Sequence, residues 1–258
     1  MMNIKRNLAL ALVVASTLPG AARTSFAQSE VDGPTALIVS YRARPGLRAQ
    51  FRSVMASEGV AQLDQWKKDG VFASYNALFT AYAADSSPDM FLVLRFNHFT
   101  DLARWQKIEQ THPGGLPEKA QSLGEADVSA TADIVKEDHT TASTSDSQFF
   151  VLEYDVLADM PKYTSYVQGY VVPQFDAWMK SGVLVSYAAF VNQNPAGAPW
   201  SSFILLEYKD LHALAAREIV KNKARARLAT SDPVWKKWSD DKTSIRKEKA
   251  AIPTLSLK

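Results

Sequence analysis

The sequence contains no cysteine. That absence removes disulfides, thiolate nucleophiles, thiolate-ligated haem and cysteine zinc sites together. Histidine is scarce as well: the chain has four, His98, His112, His139 and His212, and none of them forms a pair at metal-binding spacing. There is no glycine-rich phosphate loop, no G-x-S-x-G elbow and no H-E-x-x-H helix. Charge of one sign is also missing, with 29 Lys and Arg against 27 Asp and Glu. A near-neutral chain offers no bulk electrostatic reason to bind nucleic acid or an anionic membrane.

Long hydrophobic runs are absent too. The most apolar stretch, Asn7 to Leu18, follows Lys5 and Arg6 and leads to Ser25-Phe26-Ala27. It is shorter than the roughly 20 residues that span a bilayer. A basic n-region, a short apolar h-region and small residues at −3 and −1 predict a secretory signal peptide over residues 1–27. No cysteine follows for lipidation. Cleavage after Ala27 removes Lys5, Arg6 and Arg23 and no acid, leaving 26 basic against 27 acidic residues. The mature chain is therefore expected in the periplasm or the medium, without a membrane anchor. The basic run Lys221–Arg227, "KNKARAR", has alanines and no aromatics between its charges, so it reads as a solvated helix face.

What the sequence does contain is an echo. "QLDQWKKDGVFASYNALF" from Gln62 returns as "QFDAWMKSGVLVSYAAFV" from Gln174, at an offset of 112 residues. The offset carries Asp64 to Asp176, Trp66 to Trp178, Gly70 to Gly182 and Tyr75 to Tyr187, and holds through Leu102 and Leu214. One inserted residue aligns Tyr41 with Tyr154. A register this long is a duplicated domain. The expected layout is domain 1 over residues 28–137, a polar linker over 138–147 and domain 2 over 148–258.

Each copy spells the same elements. "ALIVSYRARP" and "FFVLEYDVLA" fit strands. Helical spacing follows from Pro45 to Lys68 and from Asp159 to Lys180, stopped by Gly70 and Gly182. Asp64 and Lys68, like Asp176 and Lys180, stand at i,i+4 spacing. Two strands come next, then a helix from about Thr100 and Leu211, then closing strands near Asp127–Lys136 and Thr243–Ala250. Pro173, inside the second copy's first helix, predicts a kink there; Gly59 weakens the first copy at a similar height. The order β-α-β-β-α-β, written twice, is the ferredoxin-like split βαβ unit, an α+β fold. Its bare sheet face needs cover, and the sibling copy supplies it.

With its W-x-x-x-G-(V)-x-x-S-Y repeat, the chain resembles the dimeric α+β barrel superfamily, which includes antibiotic-biosynthesis-type monooxygenases, haem-degrading enzymes and chlorite-dismutase-like proteins. The resemblance implies two ferredoxin-like domains joined as an intramolecular barrel. It carries no catalytic signature, and a fold does not specify a reaction. Haem-degrading members use an Asn, Trp and His set. Asn76, Trp105 and His98 supply those types but not the positions, so no cofactor is expected and haem ranks third among the readings.

Strand parity groups candidate site residues. Phe91, Val93 and Arg95 share a face, as do Phe203, Leu205 and Glu207. Glu153 aligns with Ser40, and Arg42 with Asp155. If these faces turn into the barrel, Arg95, Glu153 and Glu207 form a polar cluster there, with Arg42 as a further charged candidate. The cluster is either a small-ligand site with a carboxylate in acid–base duty or an ion pair that mates the halves. Tyr75 and Tyr187 either pack beneath helices or line the same cavity. The leading expectation is an exported protein binding a small apolar or aromatic molecule between its sheets, with cofactor-independent oxygenase or isomerase chemistry among its options. The alternative is a non-catalytic binding or assembly module whose barrel is solid. The sequence leaves open whether the chain is an enzyme, and its oligomeric state.

Overall fold

The computed structural model describes residues 32–141 and 143–258. The expected signal peptide lies outside them. Eight strands are present among the described residues: β1 Thr35–Ala43, β2 Ser74–Thr80, β3 Met90–Phe96, β4 Gly124–His139, β5 Gln148–Val156, β6 Leu184–Asn192, β7 Ser202–Tyr208 and β8 Arg246–Ser256. Every neighbouring pair is antiparallel, and together they close a barrel in the order β1-β3-β2-β8-β5-β7-β6-β4. The first half reads β4-β1-β3-β2 and the second β8-β5-β7-β6, which is one ferredoxin-like order used twice.

The halves join at two seams. β2 meets β8 through Leu78, Phe79 and Thr80, whereas β4 meets β6 along Ala132 to His139. Closure leaves no open sheet edge and hides both bare faces from water. Inside, Phe203 lies 5.7 Å from Phe91, 6.2 Å from Phe190 and 5.5 Å from Trp200 between ring centroids. Ala36, Ala130, Ala132 and Ala188 leave room for those rings, so the middle of the barrel is solid core.

The helices pack on the outer face. In the first half α1 is Arg48–Val54 and α2 is Val60–Lys68; α3 Leu102–Glu109 and α4 Glu118–Gln121 follow β3. In the second half α5 is Met160–Tyr166 and α6 is Val172–Lys180, with α7 Leu211–Ser231 and α8 Pro233–Ile245 after β7. Between α1 and α2 lies one π turn, Met55–Gly59, and between α5 and α6 lies its counterpart, Val167–Val171. The offset of the repeat relates the two turns residue for residue. The expected break at Pro173 is thus a π bulge that both copies carry, with the proline just past it, where its missing N–H is tolerated. Gly70 and Gly182, at φ of 74° and 75°, end α2 and α6 in the left-handed conformation that favours glycine.

Two expectations change. The closing strand of the second half begins at Arg246, because α8 occupies Thr243. The Asp232 carboxylate accepts from the Trp235 N–H at 2.9 Å and Pro233 follows it, so a new helix starts there. Trp235 then anchors α8 by stacking on Tyr170 at 4.9 Å. The Asp64–Lys68 and Asp176–Lys180 pairs do not form. Each aspartate instead accepts from the repeated tyrosine beneath it, Tyr75 at 2.8 Å and Tyr187 at 2.9 Å. Helix is thereby tied to sheet at the same point in both halves.

Candidate functional site

Strand parity does carry Arg95 and Glu207 inward, to the barrel end where both halves meet. A cavity of about 260 Å³ opens there between β2, β3, β4, β6 and β7, lined by Asn76, Arg95, Glu137, Ser186 and Glu207 among others. Arg95 does not pair with Glu207. Its Nε donates to Glu137 at 2.6 Å and its Nη1 to Asn76 at 2.8 Å, and its guanidinium lies 5.6 Å from the Phe190 ring centroid.

Glu153 is not with them. β5 and β7 are antiparallel, so Glu207 lies beside Phe149, and Glu153 beside Phe203. Four residues of strand, about 13 Å, separate Glu153 from the level of Glu207. Burial pushes its carboxyl up to about 7 although Lys249 opposes the shift. Arg42 is half-buried, donates to the Asp85 carbonyl at 3.2 Å and lies 3.6 Å from Asp127, at the far end of β1 from Ala36, which pairs with Arg95. Tyr75 and Tyr187 send their hydroxyls to Asp64 and Asp176 on the helix side, and both also border the barrel-mouth cavity. The single polar cluster expected of Arg95, Glu153 and Glu207 is therefore divided, because alignment gives side-chain faces but not heights along antiparallel strands.

A second cavity, about 230 Å³, lies on the other side of the sheet, between the second half's strands and its helices. Phe150, Leu152 and Leu206 form its floor, while Phe175 and Trp178 of α6 form a wall. Basic side chains border it: Arg217, Lys221 and Arg225 from α7, and Arg246 at the start of β8. Glu218 and Glu248 are the acids at this site. Glu218 is taken up by Lys221 and lies 3.9 Å from Arg217, which holds its carboxyl below the ordinary value. Arg225 donates to the Gln174 amide oxygen at 2.6 Å rather than to a carboxylate. Arg246 lies 3.9 Å from the Tyr154 ring centroid, and its Nη1 is buried without a protein acceptor. Burial, partly offset by Arg246, pushes the Tyr154 phenol up to about 12, so it stays protonated. The Trp178 indole N–H is likewise buried and unpaired. An apolar, aromatic pocket with unsatisfied N–H groups and uncompensated cations is suited to a flat ligand that carries negative charge.

At the equivalent place the first half is filled by a ring. The repeat's offset of 112 places Trp105 against Arg217. Trp105 is 2% exposed, meets Trp66 edge-on at 5.8 Å and reaches Phe72 at 6.4 Å. A Cβ on Gly115 would come within 2.4 Å of the Trp105 ring, so only glycine admits the indole there. In the second half Arg217 swings over Phe150, 5.5 Å from its centroid, and Trp178 is left facing the cavity. None of the cationic residues of α7 was singled out from sequence as a site residue; the exchange of a tryptophan for an arginine within the repeat was the available signal.

A histidine-ligated haem does not fit these residues. No histidine lines the helix-side cavity, and His139, at the barrel mouth, is exposed at the end of β4. His98 is 61% exposed, with Nδ1 3.0 Å from the Asp32 carbonyl oxygen. Among the described residues no cluster of His, Asp and Glu could hold a metal ion, and no helix is long and apolar enough to cross a membrane.

No protein-family model matches the sequence, and no curated protein matches it. Solved structures do match in three dimensions. A protein from Lactobacillus acidophilus NCFM provisionally named a monooxygenase is 11% identical with a TM-score of 0.54, covering 88% of this chain and 95% of its own. A second protein with that provisional name, from Fusobacterium nucleatum, is 14% identical with a TM-score of 0.55, over 88% and 93%. A variant of chlorite dismutase from Candidatus Nitrospira defluvii is 9% identical with a TM-score of 0.52, over 87% and 91%. Likeness at these identities is likeness of fold, and with the closed eight-stranded barrel it shows that the chain has the dimeric α+β barrel fold.

Proposed function

We propose that the protein binds a small planar molecule, largely apolar or aromatic and carrying an anionic group, in the helix-side cavity of its second half. The observation that carries this reading is the exchange of Trp105 for Arg217 between the copies, which replaces a core ring by a cation over an apolar floor. Phe150, Leu206 and Phe175 would hold the ring, and Arg246, Arg225 and the Trp178 N–H its polar end. The ligand thus lies on the helix side of the sheet and not in the middle of the barrel, where Phe91, Phe190 and Phe203 leave no room.

Structures of similar fold named as monooxygenases and as chlorite dismutase make oxidative chemistry on a small molecule the first activity to test on this cavity. A non-catalytic carrier is the second reading, favoured by the solid barrel centre. Either role is proposed for an exported chain, on the strength of the signal peptide read over residues 1–27. The experiment is a titration of the mature protein with 2-naphthoate, followed by quenching of tryptophan fluorescence and repeated by calorimetry. Wild type should bind it, and 2-methylnaphthalene at least about tenfold more weakly. Arg217→Trp, which restores the first half's filling, should abolish binding while the thermal unfolding temperature holds or rises. Full affinity in that variant would overturn the assignment. Native mass spectrometry of protein purified from its own compartment would then show which molecule it retains.

A further inference from the structure

The barrel mouth is independent of the helix-side cavity, on the opposite face of the same sheet. Its distinctive group is Glu207, 3% exposed in a cavity wall. One carboxylate oxygen, Oε2, accepts from Ser186 at 2.6 Å. The other, Oε1, is buried and meets no donor from the protein. A buried carboxylate oxygen without a donor is costly, and buried charges are normally paired.

The local cations are already committed. Arg95 is held by Glu137 and Asn76 and lies against Phe190. Lys136 lies 3.5 Å from Asp138, a further acid of the rim. Counting Glu137, Asp138 and Glu207 against Arg95, the wall is net negative. Leu205 and Ala188 give an apolar side, and the Ser74, Thr141 and Ser143 side chains supply further oxygens at the rim. A small cation with N–H groups would donate to Glu207 Oε1 and to those oxygens while leaving the Arg95–Glu137 pair intact.

We propose that this mouth, where the two halves meet, is a binding site for a small organic cation of the primary ammonium class, with Glu207 as its counter-charge. Strands from both copies build it, so it exists only because the duplication closed on itself.

The test uses benzylammonium as probe and benzyl alcohol as its neutral counterpart, titrated into the mature protein by calorimetry at neutral pH. Benzylammonium should bind at least about tenfold more tightly than benzyl alcohol. Glu207→Gln should lose that preference, with its thermal unfolding temperature checked alongside. Should Glu207→Gln fail to fold, Arg95→Gln serves instead: it removes the competing cation and should tighten benzylammonium severalfold. Ser186→Ala keeps the carboxylate and should retain the preference. Equal binding of the two probes, no binding of benzylammonium to wild type, or an unchanged preference in Glu207→Gln would each overturn the proposal.

Discussion

In the first half, Trp105 reaches beneath α2 and meets Trp66 edge-on, and the indole fills that place between helix and sheet. In the second half the same place in the repeat holds Arg217, which lies along Phe150 and leaves Trp178 lining a cavity. Both halves keep the π turn, the left-handed glycine, the helix tryptophan and the tyrosine–aspartate tie, while α7 runs 21 residues where α3 runs 8. Duplication thus gave one copy that can remain a scaffold and another free to open. The difference shows a space between helix and sheet where one core ring is replaced, with the strand order of the two halves the same.

The largest test of this comparison sets equivalent positions side by side. Trp105→Ala should destabilise the protein by about 3–5 kcal/mol, the usual cost of emptying a buried aromatic site. Arg217→Ala, at the cavity, should cost less than about 1 kcal/mol. Chemical denaturation of both variants measures the contrast, and similar losses would break it.

On the barrel side the halves differ again, with Glu153 standing where the first half has Ser40. Its carboxyl is pushed from an ordinary 4.5 up to about 7 by burial. An acid whose pKa is raised by folding holds its proton more tightly in the native state. Its contribution is therefore fully present below the unfolded value and is lost as pH rises toward 7. Stability should fall between pH 5 and pH 8, by about 2 kcal/mol from this group. Glu153→Gln should flatten that slope in urea unfolding at the two pH values.

The smallest expected effect concerns what the halves share. Tyr75→Phe and Tyr187→Phe each remove one hydroxyl donated to an aspartate, and each should cost about 1 kcal/mol. Equal losses would sharpen the symmetry of the scaffold. A loss confined to Tyr187 would show that the second half leans on its tie more heavily.

Much of this architecture is legible in the chain. The offset through Trp66, Gly70 and Tyr75 gives the duplication, and strand alternation puts Arg95 and Glu207 on the barrel face. Pro173 marks the height of a helix break. The expected polar cluster does not assemble, because Glu153 and Glu207 share a face but not an end of the barrel. Their separation depends on the pairing of Phe149 with Glu207, a contact between residues 58 apart in the chain. The helix-side cavity is not legible in the sequence for a related reason. "KNKARAR" has the look of a solvated run, and only its packing shows Lys221 and Arg225 leaning over Leu206 and Trp178.

By itself the sequence determined the element order, the repeat, the helix ends at Gly70 and Gly182 and the identity of the inward strand faces, because these follow from periodicity and local backbone preference. The tertiary structure decided where space remains. A void between helix and sheet depends on how far each side chain reaches across a long-range contact, and Trp105 fills that distance while Arg217 turns aside.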